Sequence, residues 1–129
     1  MSNKFIIEII SPATSILKHE AKEVTIPSYE GQMGILRDHI PFITFLRPGI
    51  ISIEGQEIKK YYVEEGTVEF SNNNLLILTS TAEELINLEK SSIEELLRNA
   101  EKSLRDDDSS DKEKYLLSHK IDVLKEISQ

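Results

Sequence analysis

Few side chains in this sequence could do acid–base or metal chemistry, and they are scattered. The histidines His19, His39 and His119 show none of the spacings, such as His-x-x-x-His or Glu-x-x-His, that place two metal ligands on one helix face. The acidic pairs Glu64–Glu65 and Glu83–Glu84 could be an acid and a base, but such pairs are typical of a solvated surface. The pattern therefore predicts a protein with no catalytic residues and no metal site.

Motifs for covalent catalysis and phosphate binding are also absent from the sequence. The chain has no cysteine, which excludes thiolate nucleophiles, cysteine-bound metals and disulfides. Neither Gly-x-Ser-x-Gly nor Gly-x-x-x-x-Gly-Lys-Ser/Thr occurs. The segment Gly31-Gln32-Met33-Gly34 is too short and too bulky to hold a phosphate. We therefore expect neither enzymatic activity nor a cofactor.

Composition narrows the class of partner. The 129 residues carry a net charge of −8, with 39% hydrophobic and 29% charged residues. An acidic chain is a poor partner for nucleic acid, because phosphate binding needs clustered Lys and Arg. The first residues do not have the apolar region of a signal peptide, and no apolar run approaches the roughly 20 residues that span a bilayer. Any membrane association is expected to go through another protein.

Short alternating segments over residues 4–80 predict the elements of a β domain. Eight or more short strands without a helical period are typical of a sandwich or barrel. The predicted strands are Phe5–Ile10, Ser15–Leu17, Lys22–Ile26, Phe42–Leu46, Ile50–Ile53, Glu57–Val63, Val68–Phe70 and Leu75–Thr79. The strand Phe42–Leu46 is expected to be buried on much of its surface, because five of its residues are apolar or β-branched.

Glycine, proline and asparagine predict where these strands turn. Gly31 and Gly34 bracket Gln32-Met33 as a turn or bulge, because glycine takes positive φ at low cost. Pro27 cannot donate to a central ladder. Glu54-Gly55-Gln56 and the asparagine-rich segment Ser71–Asn74 are hairpin candidates, since Asn tolerates the left-handed conformation.

After Thr81 the apolar period changes from two to about 3.6 residues. Ser91-x-x-Glu94 and Ser110-x-x-Glu113 have the form of capping boxes, and the first helix is expected to end near Arg105. The apolar stripes are Ile93, Leu96, Leu97, Ala100 and Leu104 in the first helix and Leu117, Ile121 and Leu124 in the second, widened by Leu116, Val123 and Ile127. The predicted class is α+β: an antiparallel β-sandwich over residues 1–84, followed by an antiparallel two-helix hairpin over residues 85–129.

One ordered set of residues resembles the signature of the epsilon subunit of F-type ATP synthases. The set is Ile26-Pro27, Glu30-Gly31-Gln32-Met33-Gly34-Ile35-Leu36, His39-Ile40-Pro41 and Leu46-Arg47-Pro48-Gly49. The resemblance implies the same two-part plan of β-sandwich and helical hairpin. It also implies a noncatalytic central-stalk subunit, which couples proton-driven c-ring rotation to ATP synthesis on other subunits. Its place would be peripheral, at the cytoplasmic face of a bacterial plasma membrane.

The resemblance also assigns partner contacts to particular positions. The c-ring contact would consist of Glu30, Gly31, Gln32, Met33 and Gly34, with Met33 exposed and packing against the partner. The gamma-subunit contact would include Ser11, His39 and Thr44. The C-terminal helices could reach the alpha and beta subunits and restrain ATP hydrolysis. Residues 111–129 are charge-neutral, so we expect only modest electrostatic steering toward an acidic target.

Nucleotide binding by the hairpin is the alternative function. Some members of the family bind ATP through an Ile/Leu-Asp-x-x-Arg-Ala segment, with arginines from the second helix. Here the matching positions are Ile86, Asn87, Lys90 and Ser91, and the second helix has no arginine. Lysine lacks the bidentate fork of arginine, so ATP binding is expected to be weak or absent. A third possibility is a β-sandwich module for peptide or sugar, but the chain has no Trp and only 6% aromatic residues.

Overall fold

A computed structural model describes residues 3–106 and 108–128 of the chain. Within these residues the chain forms ten β-strands, a short 3-10 turn at Leu85–Asn87 and two α-helices. The predicted domain ranges also include residues 1, 2, 107 and 129, which lie outside the described residues. The order of the elements confirms the predicted class, a β-sandwich followed by two helices.

The strands are short and follow one another closely along the chain. They are β1 (Phe5–Ile10), β2 (Ser15–Ala21), β3 (Glu23–Ser28), β4 (Gly31–Leu36), β5 (Phe42–Leu46), β6 (Gly49–Glu54), β7 (Ile58–Val63), β8 (Gly66–Ser71), β9 (Asn74–Leu78) and β10 (Ala82–Glu84). The helices are α1 (Lys90–Leu104) and α2 (Asp111–Ile127).

Hydrogen bonding links all ten strands into one folded sheet with two halves. The first half has the order β10-β7-β6-β3-β4, and the second half has the order β5-β8-β9-β1-β2. The halves join where Ser28 of β3 pairs with Leu46 of β5. The described ladders are antiparallel, as expected for the predicted antiparallel sandwich, except that β1 runs parallel to β9.

The core lies between the two halves and is built from alternate residues of each strand. Successive side chains of a strand point to opposite faces, so every second residue reaches the interior. Fully enclosed examples are Ile7 and Ile9 of β1, Val24 and Ile26 of β3, Ile51 of β6, Val68 of β8 and Ile77 of β9. Each such side chain contributes about 1.5–3 kcal/mol relative to an exposed position. The β domain therefore holds a core of its own.

Pro27 lies where β3 exchanges one neighbour for another. Thr25 pairs with Ser52 of β6, whereas Ser28 pairs with Leu46 of β5. A proline, which has no N–H, fits this interval between two ladders. Gly49 is needed opposite, because a Cβ at that position would lie 2.4 Å from the Cβ of Pro27.

The asparagine turn is confirmed, whereas the predicted turn at Gln32-Met33 is wrong. Asn72 and Asn73 both have positive φ, 51° and 58°, and close the β8–β9 hairpin. The β3–β4 turn lies earlier, because Ser28 pairs with Gly31 and leaves Tyr29 and Glu30 as the two turn residues. Gly31, with φ 141°, follows the turn and begins β4, which includes Gln32 and Met33.

The prediction that β5 is buried on much of its surface is also wrong. Ile43 is 74% exposed and Phe45 is 60% exposed, while Leu46 is buried. Phe42, Thr44 and Leu46 share the side of β5 that faces the core, and Ile43 and Phe45 share the other side. An apolar run cannot by itself show whether both faces of a strand are covered.

Of the two predicted capping boxes, the one at α2 supplies a side-chain cap, through the half of the box that Ser110 provides. Ser110 precedes α2 and its hydroxyl accepts a hydrogen bond of 3.1 Å from the backbone N–H of Glu113. The first box is wrong, because α1 already begins at Lys90, so that Ser91 lies inside its first turn. Within the described chain, the cap residue Glu89 makes no side-chain cap bond. The end of α1 agrees with the prediction, since its last residue precedes Arg105.

The apolar stripes of the two helices meet over one residue of the β domain. Tyr62 of β7 is buried together with Ile93 of α1 and Leu124 of α2, and half-buried Leu and Val side chains surround them. The hairpin thus lies against the outer side of β7. No helix in the described chain is long and apolar enough to cross a membrane.

Candidate functional site

The structure keeps the three histidines apart. His19 lies on β2, His39 in the connection between β4 and β5, and His119 on α2. Among the described residues, no three His, Asp or Glu side chains are grouped so that they could hold a metal ion. The candidate sites of this protein are therefore exposed surfaces that could contact partners.

Exposed apolar side chains lie next to one another on the outer side of the second half-sheet. Strand pairing places Phe45, Thr67, Leu78 and Ile10 in one row across β5, β8, β9 and β1. Leu78 is 45% exposed, and Ile43 stands two residues from Phe45 on the same side of β5. We call Ile10, Ile43, Phe45 and Leu78 the apolar face. Exposed apolar groups of this kind mark interaction sites.

A groove of about 690 Å³ runs along one edge of the apolar face. Ser11 lines this groove together with Phe45 and Leu78. The backbone N–H of Ser11 donates to the carbonyl of Thr14 at 2.9 Å, and its hydroxyl lies 3.2 Å from the same carbonyl oxygen. The predicted contact residue Ser11 therefore borders the apolar face, in a turn that fixes its position.

Thr44 and His39, the other two predicted gamma-contact residues, do not join Ser11 in one cluster. Thr44 is half-buried in the middle of β5, on the side opposite Phe45. The ring of His39 packs edge-on against Phe42 at 5.3 Å and Phe70 at 6.0 Å. The three residues thus lie around β5 rather than on one face.

The connection that carries His39 is tied to the β8–β9 turn. The N–H of Asp38, which has φ 68°, donates to the Oδ1 of Asn73 at 2.7 Å. The Nδ2 of Asn73 donates in return to the Oδ1 of Asp38 at 3.0 Å. His39 and the exposed Ile40 are therefore presented from an anchored backbone.

The predicted c-ring residues lie on the β3–β4 hairpin. Glu30, in the turn, is exposed, and so are Gln32 and Gly34 on the outer side of β4. Met33 is on the other side, where it is partly buried and packs against the core. The expectation of an exposed Met33 is therefore wrong, because strand alternation turns it inward. Leu36, which sequence reasoning missed, continues the exposed side of Gln32 and Gly34.

A polar and aromatic cluster joins α2 to the β domain. The ring of Tyr115 lies 4.8 Å from that of Tyr29, and its hydroxyl donates to the Tyr29 carbonyl. Arg47 donates through Nη1 to the Tyr115 hydroxyl at 3.1 Å and lies 3.4 Å from the Nε2 of His119. We call Tyr29, Arg47, Tyr115 and His119 the docking cluster. Sequence reasoning did not find it, because its members have no shared period.

An ion pair and two perturbed side chains accompany the docking cluster. Lys120 Nζ lies 2.8 Å from Glu64 Oε1, with both side chains largely buried. Burial and the charge of Arg47 lower the pKa of His119, whereas Asp122 acts in the opposite direction. Burial raises the pKa of Tyr62, whose hydroxyl has no hydrogen-bond partner among the described residues.

The segment matched to the nucleotide motif lies on the surface. Ile86 is 83% exposed in the 3-10 turn, and Asn87 is exposed beside it. Lys90 and Ser91 are exposed at the beginning of α1. Weak or absent ATP binding stays a prediction.

Comparison with known proteins gives consistent matches over the whole chain. The family model "ATP synthase, Delta/Epsilon chain, beta-sandwich domain" matches residues 4–85. The ATP synthase epsilon chain of Pelagibacter ubique is 48% identical over 99% of this chain and 100% of its own length. That of Parvibaculum lavamentivorans is 31% identical over 98% of this chain and 97% of its own length.

A solved structure shares the fold at low sequence identity. A chain in the mitochondrial ATP synthase of Euglena gracilis (OSCP/F1/c-ring) superposes with a TM-score of 0.76 and 19% identity. The match covers 97% of this chain and 79% of that one. At this identity the likeness shows the fold, including the two helices, and nothing more.

Proposed function

Because the chain belongs to the family of ATP synthase epsilon chains, we propose that it is a noncatalytic subunit of the central stalk. In this role it couples rotation of the c-ring to ATP synthesis at sites on other subunits. It is peripheral, at the cytoplasmic face of a bacterial plasma membrane, and reaches the membrane through the complex.

The observation that carries this proposal is the apolar face. Ile43 and Phe45 are more than half exposed on a strand whose opposite side packs on the core. Burying such a side chain stabilises a protein by about 1.5–3 kcal/mol relative to leaving it in water. A partner that covers Ile43 and Phe45 would therefore form a more stable complex. We assign this face, together with the bordering Ser11, to the gamma subunit. Thr44 lies on the opposite side of β5, and His39 lies in the connection that precedes β5. In this assignment both residues help to hold β5 in place.

The second contact of the proposal is the β3–β4 hairpin with the c-ring. The two-residue turn and the outer side of β4 present Glu30, Gln32 and Gly34 to solvent. Gly31 gives the turn its backbone geometry, and Met33 ties the hairpin to the core. Polar side chains on an anchored strand suit the polar loops of a ring.

Torque passes between the two contacts only if the body that joins them is stiff. β3 supplies both the hairpin and the pairing to β5, which carries the apolar face. A continuous network of ladders resists bending between the surfaces. Contact of the hairpin helices with alpha and beta subunits would first require α2 to leave the docking cluster.

Capture of named partners tests the gamma contact. A tagged chain with Ile43→Asp and Phe45→Asp is expressed in its own cells in place of the natural chain. We expect the gamma subunit to be lost from the purified material, because two desolvated carboxylates oppose binding. The matched control is Ile58→Asp, at a position that is 65% exposed at the start of β7. Undiminished gamma capture by the double variant would overturn the assignment.

A second variant separates the c-ring contact from the gamma contact. Gln32→Arg places a charge on the exposed side of β4, away from the apolar face. We expect retained gamma subunit and a reduced share of c subunit in the same purification. Equal loss of both partners, or of neither, would contradict the assignment of two separate surfaces.

A further inference from the structure

The contact between α2 and the β domain includes a histidine placed to accept a hydrogen bond from Arg47. Arg47 extends Nη1 toward both the Tyr115 hydroxyl, at 3.1 Å, and the Nε2 of His119, at 3.4 Å. The guanidinium has donors only, so the Nε2 of His119 serves as the acceptor and the ring is neutral. Tyr115 in turn packs edge-on against His119 at 4.6 Å. The three side chains therefore fit together in one protonation state.

We propose that Arg47 and His119 form an acid-sensitive latch, in which protonation of His119 releases the helical hairpin from the β domain. Protonation removes the acceptor and sets an imidazolium against a guanidinium at hydrogen-bond distance. Two like charges at this distance repel, and partial burial weakens screening by solvent.

The groups around His119 decide the sign of the effect. Arg47 faces it from the β5–β6 connection, and Tyr115 packs against it as an uncharged neighbour. Asp122 on α2 is the carboxylate that favours the protonated ring, but it moves with the helix and so remains near His119 after release. The neighbouring cation Lys120 is neutralised by Glu64. Release therefore relieves the repulsion from Arg47 while it keeps the attraction of Asp122.

The pH range follows from the same groups. In the docked chain, burial and Arg47 hold the pKa of His119 below its ordinary value of 6.5. In the released chain the ring is hydrated and its pKa returns toward that value. The released state then binds more protons, so docking is undiminished above the ordinary pKa and weakens as the pH falls below it.

The latch is one part of the docking contact, so acid shifts the equilibrium rather than unfolds the chain. Tyr62, Ile93 and Leu124 pack through apolar contacts that do not titrate in this range. The pairing of α1 with α2 uses the same apolar stripes and does not involve His119 in its core. The inference concerns the chain by itself and holds whether or not it binds the partners proposed above.

Fluorescence energy transfer between two labels on the full chain tests the latch. The sequence has no cysteine, so Glu69→Cys on β8 and Ser118→Cys on α2, both at exposed positions, give two unique labelling sites. We expect the released fraction to rise several-fold between about pH 7.5 and about pH 5.5, the range in which a histidine charges. Unchanged transfer over this range would overturn the proposal.

Two histidine variants in the labelled chain identify the responsible group. His119→Gln keeps a hydrogen-bond acceptor without a titrating charge, and we expect it to remove the pH dependence. The control His19→Gln, at an exposed position on β2, should leave the dependence as it is. A pH dependence that persists in His119→Gln would refute the latch.

If the helical hairpin of His119→Gln does not dock on the β domain, a magnetic resonance titration of the unlabelled natural chain still tests the latch. The ring protons of His119 report its protonation directly. We expect a midpoint below the ordinary histidine value of 6.5, because burial and Arg47 disfavour the charged ring. A midpoint of His119 at or above 6.5 would overturn the proposal, whatever the variant does.

Discussion

The β domain and the helical hairpin are held in place in different ways. The β domain encloses its own core. Most of its strands are hydrogen-bonded to a neighbour on both sides. The hairpin has no comparable interior. Among the described residues, its apolar stripes pack around Tyr62 from β7, and Arg47, Tyr115 and the Lys120–Glu64 pair hold α2 to the β domain. The comparison separates a domain that encloses its own core from an element that is held by its contacts with that domain.

The largest change in the free energy of unfolding is expected from a substitution in the core of the β domain. Phe70 is buried and its ring contacts Phe5, His39 and Phe42. Phe70→Ala should lower the free energy of unfolding by about 3–5 kcal/mol, through lost burial and a residual cavity. Urea denaturation followed by far-ultraviolet circular dichroism measures it. Ile58→Ala, at an exposed position, is the control and should change the value by less than about 0.5 kcal/mol.

A substitution in the hairpin core should have a smaller and more local effect. Leu124 is fully buried between α1, α2 and Tyr62. Leu124→Ala removes buried apolar contacts and should weaken docking of the helical hairpin by about 2–4 kcal/mol. The loss is limited because neighbouring side chains can partly fill the cavity. Hydrogen exchange should show faster exchange in α1 and α2 and unchanged protection in β1, β3 and β9. Equally faster exchange in the strands would mean that the two regions unfold as one unit.

The capping box of α2 gives a test at the scale of one hydrogen bond. Ser110 caps the helix through the N–H of Glu113. Ser110→Ala should cost about 1 kcal/mol of helix stability. Ser118→Ala, at an exposed position inside the same helix, should instead stabilise it by a few tenths of a kcal/mol. Helix content during thermal unfolding should show a lower melting temperature for Ser110→Ala and a slightly higher one for Ser118→Ala. A higher melting temperature for both variants would show that the cap does not stabilise the helix.

The smallest expected effect is that of ATP. The helical hairpin lies against the β domain through side chains of this chain, and Lys90 stands where the nucleotide motif considered in the sequence analysis has an arginine. Isothermal titration with ATP and Mg²⁺ should give no binding at micromolar concentration, and the melting temperature should not move. Micromolar affinity would show that nucleotide contributes to the docked position after all.

The sequence predicted best what depends on neighbours along the chain. Alternating Ile and Val residues indicated most strands, Asn72-Asn73 indicated a left-handed turn, and Ser110 with Glu113 indicated a helix start. Each of these features is fixed within a few residues.

The features that sequence reasoning missed depend on residues far apart or on what covers a surface. Phe42–Leu46 is equally apolar whether one face or both are buried, so the exposure of Ile43 could not be read from it. Gly31 and Gly34 suggested a turn between them, whereas the pairing of Ser28 with Gly31 places it earlier. Arg47 and His119 are 72 residues apart in the sequence but lie side by side in the structure. Single polar residues have no periodic pattern that would predict such a contact.

The parallel pairing of β1 with β9 has a consequence for synthesis on the ribosome. β1 is made before the other nine described strands, yet β9, the strand that completes its second edge, is made after most of them. Until then an apolar ribbon of β1 and β2 has one unpaired side and is open to wrong association. We therefore expect nascent chains that stop before Asn74 to need a chaperone, and chains that extend past Leu78 to do without one.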